Sequence, residues 1–310
     1  MDESSAKMTS VRHARKVANA FGGDLLLVQM LCGSADGQGP IDPVDWDIKK
    51  QRILIRLGLL TKGSEGNGTP CKIKLLEGEC INQIKAFMEL RRGDIAASPR
   101  SGGGMGWHSS ETVWGVLSSR SAGILMIPDD AKIEPDTRYR RILVPLDGSS
   151  RAEAALPKAT LLAKAETSEI LLCYIAPEPG LTEFGSDDPE ADRLHSLVRK
   201  RNDQAGRTYL AQIKKRLEHN GLNTSIKIRH GGDVRRALID VILQDKADFV
   251  VMATHGQSGH GDVPTGDVAR YVTDNADTPV LLVRCLSGRN GHHAFGTALP
   301  KEGRQPVGTD

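Results

Sequence analysis

The chain has 310 residues, of which 39% are hydrophobic, 26% are charged and 4% are aromatic, and its formal net charge is +2. This length predicts two domains of roughly 150 residues each, and the near-neutral charge argues against binding to nucleic acid or to an anionic membrane. The apolar runs are shorter than the about 20 residues of a membrane helix, the acidic start MDESS is unlike a signal peptide, and the five cysteines lack C-x-x-C spacing, so we expect a soluble cytoplasmic protein with reduced thiols.

The first 130 residues, the N-terminal half, alternate helical and strand patterns. Small and apolar residues at helical spacing, including Ala14 and Ala18, predict a helix, and the run DLLL at residues 24–27 predicts a strand after it. The apolar run GILMIP predicts the last strand of this half. A short linker follows at residues 129–138, where Pro135 interrupts any regular structure.

Residues 138–286, the C-terminal half, repeat this alternation more clearly. Its first strand is the run RILVPL at residues 141–146, followed by the turn DGSS. The later elements predicted in chain order are a helix around residues 155–163, a strand at 170–175, a helix at 193–219, a strand at 224–229, a helix at 234–244, a strand at 248–253, a helix at 267–273 and a strand at 279–284. Short apolar strands that alternate with helices indicate a parallel sheet covered on both faces. The glycine- and proline-rich tail, residues 287–310, is predicted to be disordered.

The two halves align with each other over most of their length. Ala14 and Ala18 fall on Ala159 and Ala163, DLLL falls on EILL, and GILMIP falls on PVLLVR. Between these, Gly78 falls on Gly232 and Asp94 on Asp248. We interpret the chain as two copies of one α/β domain, residues 1–130 and 138–286.

The alignment leaves the N-terminal half without its first strand. Met1 falls on Leu146 and Asp2 on Asp147, so RILVPL has no counterpart in this half. Because the first strand of a doubly wound sheet is usually central, its absence leaves a gap or forces repacking. Two interpretations remain open: the start codon is placed too late, or the N-terminal copy has lost the strand.

The first candidate site in the C-terminal half is the turn after strand 141–146. Ligands of open parallel sheets bind outside the carboxyl ends of the strands, where the strand order reverses. Asp147 at such an end can accept hydrogen bonds from a ribose hydroxyl or a base amine. The alternative is structural, because Asp and Ser are also common helix N-caps.

The second candidate site is a glycine-containing loop after strand 248–253. It reads Ala253-Thr254-His255-Gly256, nine further residues, and then Gly266-Asp267-Val268 at the start of a helix. Backbone N–H groups at a helix N-terminus bind phosphates, and glycine lets the backbone approach them closely. The loop is neither a G-x-x-x-x-G-K-[ST] loop nor a G-x-G-x-x-G turn after the first strand.

These two stretches together resemble the universal stress protein family. Domains of that family begin with a strand that ends in an Asp-containing turn, as ILVPLDGS does here, and they close with G-x2-G-x9-G-[ST], a helix and a strand reading P-V-L-x-V. The resemblance covers residues 2–286 as a tandem pair. It implies two flavodoxin-like domains of adenine-nucleotide-binding type with five-stranded parallel sheets, the first lacking its first strand. It also implies a stress-response binding protein with ATP as the candidate ligand of the C-terminal half.

The resemblance assigns ligand contacts to individual residues of the C-terminal half. In the ATP-binding branch, the turn after the first strand contacts adenine and ribose, and the glycine loop holds the phosphates. Carried over to this chain, these roles fall to seven residues: Pro145, Asp147, Ala253, Gly256, Gly266, Asp267 and Val268.

Two of the seven residues depart from the family pattern. Ala253 replaces the first glycine, a small change if the local φ is negative. Asp267 replaces a Ser or Thr hydroxyl with a carboxylate, which repels a triphosphate. A divalent cation such as Mg²⁺ between the carboxylate and the phosphates would reverse that effect. Otherwise Asp267 would act only as a cap of its helix.

The N-terminal half departs further from the pattern. Its aligned positions are Ala97, Arg100, Ser110 and Glu111, so both later glycines are missing and a carboxylate again replaces the hydroxyl. We expect this half to bind no ATP and to act in dimerisation and packing against the other half.

Other chemistries find less support in the sequence. His255, His260, His292 and His293 lack the accompanying spacing of a metal site, and Ser149 and Ser150 lack the G-x-S-x-G turn of a serine hydrolase. We therefore predict no catalytic residues and no metal ligands. Three function classes remain: a nucleotide-sensing stress protein, a nucleotide-independent interaction module and, third, an adenylate hydrolase. As partners we expect an adenine nucleotide and pairing of the two halves, with a homodimer as an open alternative.

Overall fold

The computed structural model describes residues 3–31, 42–62, 69–77, 80–91, 93–100, 122–128, 131, 138–176, 189–255 and 265–284. The predicted tail at 287–310 and all of the linker except residues 131 and 138 lie outside these residues. In the N-terminal half the elements are α1 (Glu3–Ala20), β1 (Leu25–Leu31), α2 (Pro43–Lys62), β2 (Cys71–Glu77), α3 (Cys80–Glu89), β3 (Ile95–Arg100) and β4 (Gly123–Pro128).

The C-terminal half contains every strand and helix that the apolar pattern predicted. Its elements are β5 (Arg141–Pro145), α4 (Ser150–Glu153), α5 (Leu156–Glu166), β6 (Glu169–Ala176), α6 (Pro189–His219), β7 (Thr224–His230), α7 (Val234–Gln244), β8 (Phe249–Ala253), α8 (Asp267–Asn275) and β9 (Val280–Val283). Local chemistry sets several boundaries. Asp233 caps α7 by accepting a hydrogen bond from the Arg235 N–H, and Thr167 ends α5 in the left-handed conformation. Within the described residues no helix is long and apolar enough to cross a membrane.

Most strands form one seven-stranded sheet with the order β3-β4-β9-β8-β5-β6-β7. All neighbours in it are parallel except β4 and β9, which are antiparallel. The five strands of the C-terminal half therefore form the expected five-stranded parallel sheet, with β5 at its centre. The chain leaves β5 toward β6 and β7 on one side and later returns to β8 and β9 on the other. The strand order consequently reverses between β5 and β8.

Alternate residues of the central strands enter two separate cores, one on each face of the sheet. Ile142 and Val144 lie in the larger cluster, together with Leu210, Ile213 and Leu217 of α6. Leu143 lies in the cluster on the other face, with Leu238 of α7 and Val272 of α8. Burial of β5 from both sides explains why its sequence is apolar throughout rather than alternating.

The N-terminal strands are divided into two pairs. β1 pairs with β2 in a separate two-stranded parallel sheet, whereas β3 pairs with β4 at one end of the large sheet. The register of β3 with β4 repeats that of the C-terminal half, because Ala96 lies opposite Ile124 as its aligned residue Val250 lies opposite Val280. β1 pairs with β2 in parallel, as the aligned strand β6 pairs with β7. Among the described residues, the break between the pairs falls at the position that β5 occupies in the C-terminal half.

The two halves join through strands and helices that the sequence aligned as equivalents. β4 pairs with β9, and α1 packs against α5. The Lys16 Nζ lies 3.0 Å from the Glu166 Oε2, and the Lys158 Nζ lies 4.7 Å from the centre of the Phe21 ring. His13, which is 2% exposed, lies with its Nδ1 2.6 Å from the Tyr139 hydroxyl. The interface thus combines apolar burial with a few specific polar contacts.

Candidate functional site

The turn after β5 stands at the carboxyl edge of the sheet. Pro145 is the last residue of β5 and lies opposite Cys173 of β6, and the Leu146 N–H donates to the Cys173 carbonyl over 2.8 Å. Gly148 then turns the chain with φ +86°, in the left-handed region where side chains are disfavoured. Asp147 is thereby exposed at the edge, next to the point where the strand order reverses.

Asp147 does not cap the following helix, because Ser149 does. The Ser149 Oγ accepts from the Ala152 N–H over 3.1 Å, and the Asp147 Oδ1 accepts from the Ser149 N–H over 3.0 Å and from its hydroxyl over 2.7 Å. One carboxylate oxygen of Asp147 therefore holds the turn. Burial, and secondarily the Asp147 charge, raises the pKa of Tyr174 on β6, so this ring is close to the carboxylate.

The second strand end at this edge is that of β8. Ala253 is its last residue, and the Thr254 N–H donates to the Val283 carbonyl over 3.0 Å. The Gly266 N–H donates to the Thr254 carbonyl over 2.8 Å, which brings the start of α8 back to the strand end. A Cβ at position 266 would lie 3.3 Å from that carbonyl oxygen, so the approach favours glycine. Gly256 and the other residues of 256–264 lie outside the described part of the chain.

Helix α8 begins without a capping side chain. Its N-cap is Gly266, with φ −70° and ψ 155°, which has no side chain to accept from the N–H groups of the first turn. Asp267 is the first helical residue and is exposed, so the alternative that Asp267 caps this helix is wrong. Val268 follows, half-buried against the smaller core. Thr265, which is 6% exposed, has a hydroxyl without a partner among the described residues.

An arginine that the sequence analysis missed lies beside this helix. The Arg235 guanidinium at the start of α7 is bound to Asp233, with the Arg235 Nη2 2.7 Å from the Asp233 Oδ2. That pair lowers the pKa of Asp233 to about 2. The pKa of Arg235 is raised, chiefly by Asp233 and additionally by the charge of Asp267. Arg235 also lies over the ring of Tyr271 in α8, 5.5 Å from its centre.

The equivalent positions of the N-terminal half make different contacts. Ala97 lies on β3, and Arg100, which replaces the second glycine, ends that strand. The Arg100 Nη1 donates to the carbonyls of Thr273 and Ala276, at 2.9 and 2.8 Å, at the C-terminal end of α8. Arg100 therefore satisfies carbonyls that the helix leaves open and links the halves. Asp2, Ser110 and Glu111 lie outside the described residues.

Comparison with known proteins places this site in a family. The profile of the universal stress protein family matches residues 138–284, which contain the five-stranded parallel sheet and both strand-end turns. Residues 138–284 form a universal stress protein domain. The match covers the C-terminal half, and the tandem arrangement of two such domains remains our interpretation of the duplicated pattern.

Individual universal stress proteins resemble the chain over the same region. One from Methanocaldococcus jannaschii is 29% identical over 149 residues, 47% of this chain and 82% of the relative. One from Synechocystis is 28% identical over 152 residues, 47% of this chain and 98% of the relative. The crystal structure of a universal stress protein from Archaeoglobus fulgidus shares the fold over 92% of this chain and 93% of its own, with a TM-score of 0.61 at 15% identity. Both halves thus follow the fold of that protein.

Among the described residues, no group of three or more His, Cys, Asp or Glu side chains has the geometry of a metal site. The Nδ1 of His255 lies 3.2 Å from the Thr254 hydroxyl. The edge of the sheet therefore presents two exposed carboxylates, those of Asp147 and Asp267, together with the start of α8 at Gly266 and the nearby Arg235 guanidinium. This set is suited to binding a polar, phosphorylated ligand.

Proposed function

We propose that this universal stress protein binds an adenine nucleotide at the carboxyl edge of its C-terminal sheet and that the N-terminal half binds none. The observation that carries the proposal is the uncapped start of α8 at the point where the strand order reverses. We also propose that the nucleotide is ATP rather than AMP or ADP, a preference that depends on the part of the site that would bind the phosphates.

The phosphate end would be formed by α8 and its preceding residue. The first N–H groups of a helix have no intrahelical partners, and a phosphate satisfies them while interacting favourably with the helix dipole. Gly266 keeps this surface free of a side chain. The buried Thr265 hydroxyl, which has no partner among the described residues, offers an additional donor beside it.

The adenosine end would be formed by the turn after β5. The Oδ1 of Asp147 accepts from Ser149, and the carboxylate is exposed at this edge, where it would also accept from a ribose hydroxyl. Pro145 at the end of β5 and Val268 in the first turn of α8 would supply apolar surface on either side. The nucleotide would therefore lie across the point where the strand order reverses, with its sugar near β5 and its phosphates near α8.

The charge of Asp267 opposes the phosphates of this ligand. Because its carboxylate stands on the first residue of α8, it is near any anion held by that helix start. The charge of Asp267 contributes to the raised pKa of Arg235, so the guanidinium is near this carboxylate. It would offset part of the repulsion between Asp267 and the phosphates. Mg²⁺ between Asp267 and the phosphates would offset more of it, so we expect binding to be tighter with Mg²⁺ than without.

The test is the identity and affinity of the ligand. Mass spectrometry of the small molecules released from freshly purified full-length chain should detect an adenine nucleotide. Calorimetric titration should then give an affinity for ATP that rises about tenfold or more in D267S measured without Mg²⁺, because a hydroxyl donor replaces a repelling charge. D277S is the matched control, since Asp277 is an exposed carboxylate in the segment after the other end of α8.

One outcome would contradict the proposal. If no nucleotide is released and neither wild type nor D267S binds ATP with or without Mg²⁺, the site is not a nucleotide site. The second candidate function, a nucleotide-independent interaction module, would then apply. The contact between the two halves favours this second function, because Arg100 binds carbonyls of α8 instead of a ligand.

A further inference from the structure

Helix α2 carries apolar side chains on two opposite faces. Its inner face lies against β1 and β2, where Leu57 is buried and the Trp46 indole N–H donates to the Glu77 Oε2 over 3.1 Å. Its outer face, the α2 stripe, carries four large apolar side chains that are between 45% and 65% exposed: Val44, Ile48, Ile55 and Leu59. Because a helix that is apolar on both sides is normally covered on both sides, the α2 stripe indicates a further contact.

The exposed residues recur at the spacing of a coiled-coil seam. Successive members of the α2 stripe are separated by four, seven and four residues, a repeat that keeps side chains on one line along a helix. Gln51 lies on the same line between Ile48 and Ile55, and a groove along the helix is lined by these three residues together with Asp47 and Arg52. The stripe extends over about 22 Å, which is long enough for a second helix to pack along it.

The equivalent helix of the C-terminal half shows that the fold does not require apolar residues on this face. Helix α6 precedes β7 as α2 precedes β2, and the buried Leu57 of α2 corresponds to the buried Leu210 of α6. In that alignment the stripe positions 48, 55 and 59 fall on three exposed polar residues of α6: Arg201, Thr208 and Gln212. The α2 stripe is therefore a property of this helix rather than of the domain.

The charges beside the α2 stripe are complementary to those of a second copy of the same helix. Asp47 lies on one flank of the stripe, and Arg52 lies on the other flank, five residues later. When two such helices pack in parallel about a twofold axis, each flank faces the opposite flank of the other helix, so Asp47 of each copy meets Arg52 of the second copy. An antiparallel pair would bring like flanks together and place Arg52 near the ammonium of Lys49. The charges therefore favour the parallel pair.

We propose that the α2 stripe is a dimerisation surface, at which two copies of this chain associate through parallel, in-register α2 helices. The apolar side chains of the stripe pack against their counterparts, and the two Gln51 amides hydrogen-bond to each other across the axis. The alternative occupant is a segment of the same chain. The segments that adjoin α2, residues 32–41 and 63–68, contain one large aliphatic side chain between them, Ile41, against the four of the stripe. Self-complementary charges and this poor match both favour the second copy.

The experiment measures the oligomeric state of the full-length chain by sedimentation velocity. Because a single helix pair forms a small interface, we expect a dimer with a Kd of about 1–100 μM and a dimer fraction that rises with protein concentration. I55K places an ammonium in the middle of the stripe and should raise the Kd about tenfold or more. L243K makes the matched change at an exposed leucine of α7 and should leave the Kd unchanged. Circular dichroism verifies that both variants retain the fold.

A charge exchange tests the parallel register. D47R and R52D should each raise the Kd about threefold or more, because each places like charges opposite each other, and the double variant D47R/R52D should restore the wild-type Kd. Residues five apart on one helix do not face each other, so restoration reports a contact between two copies.

Three outcomes would each overturn the proposal. A chain that stays monomeric at every concentration, with amide exchange in α2 that is slow and independent of concentration, would assign the stripe to a segment of the same chain. Equal weakening of the dimer by I55K and L243K would place the interface elsewhere. Failure of D47R/R52D to restore the Kd would exclude the parallel pairing.

Discussion

Leu125 and Leu281 lie directly opposite each other in the antiparallel pair of β4 and β9. They are also equivalent residues of the two aligned halves, so an approximate twofold axis passes between them. Both side chains are buried, at 1% and 0% exposure, in the same apolar cluster. The two halves of the chain therefore meet around a self-complementary pair of leucines.

Truncation of either leucine should destabilise the whole chain. We expect L125A and L281A each to lower the free energy of unfolding by about 2–5 kcal/mol, because each leaves a cavity in a closely packed region. The double variant should deviate from additivity by roughly 0.5 kcal/mol or more, since the side chains are neighbours. Urea unfolding followed by circular dichroism measures all three. L90A, at a position 88% exposed, should change little, and an equal loss there would contradict the assignment.

Removal of the Arg100 guanidinium should loosen the contact between β3 and α8. R100A removes the hydrogen bonds to the Thr273 and Ala276 carbonyls. A hydrogen bond from a charged donor contributes at most about 1.5–3 kcal/mol to the free energy of unfolding. We expect a stability loss of about 1.5–3 kcal/mol in total and faster amide exchange in the last turn of α8. R199A, at an exposed position of α6, is the control. Unchanged amide exchange in α8 would show that the Arg100 contact does not stabilise the helix.

Burial of His13 should make stability depend on pH. Burial lowers its pKa from 6.5 to about 4, so the folded state binds fewer protons than the unfolded state between these values. Stability is therefore complete above about pH 6.5 and falls as the pH decreases toward 4, by up to about 3 kcal/mol. H13L should remove this part of the slope in urea titrations between pH 7 and pH 4.5. H219Q, at an exposed histidine of α6, should retain it.

Gly206 of α6 should not tolerate a side chain. A Cβ at this position would lie 2.7 Å from the Cδ1 and 2.8 Å from the Cε1 of Tyr174, so G206A must displace the ring or the helix. We expect a loss of about 1–3 kcal/mol. G58A is the matched change in α2, where an added Cβ meets no atom within 4 Å, and it should stabilise the helix by about 0.5–1 kcal/mol. Equal effects of the two substitutions would contradict this account.

The strands and helices of the C-terminal half could be predicted from local pattern alone. The run at residues 141–146 became β5, and the spacing of Leu210, Ile213 and Leu217 gave the buried face of α6. These predictions succeeded because burial on one or both faces leaves a periodic record in the sequence.

The polar contacts that form the candidate site and join the two halves leave no periodic pattern in the sequence. Arg100 was read only as a lost glycine, although its guanidinium binds α8 in the other half. Arg235 lies beside Asp267 only because α7 and α8 pack together. Ser149, rather than Asp147, caps the helix after β5. Local spacing specifies which residues are buried in each element. Which polar side chains contact each other is specified only when distant elements pack together, because these contacts depend on directions in space that separation along the sequence does not encode.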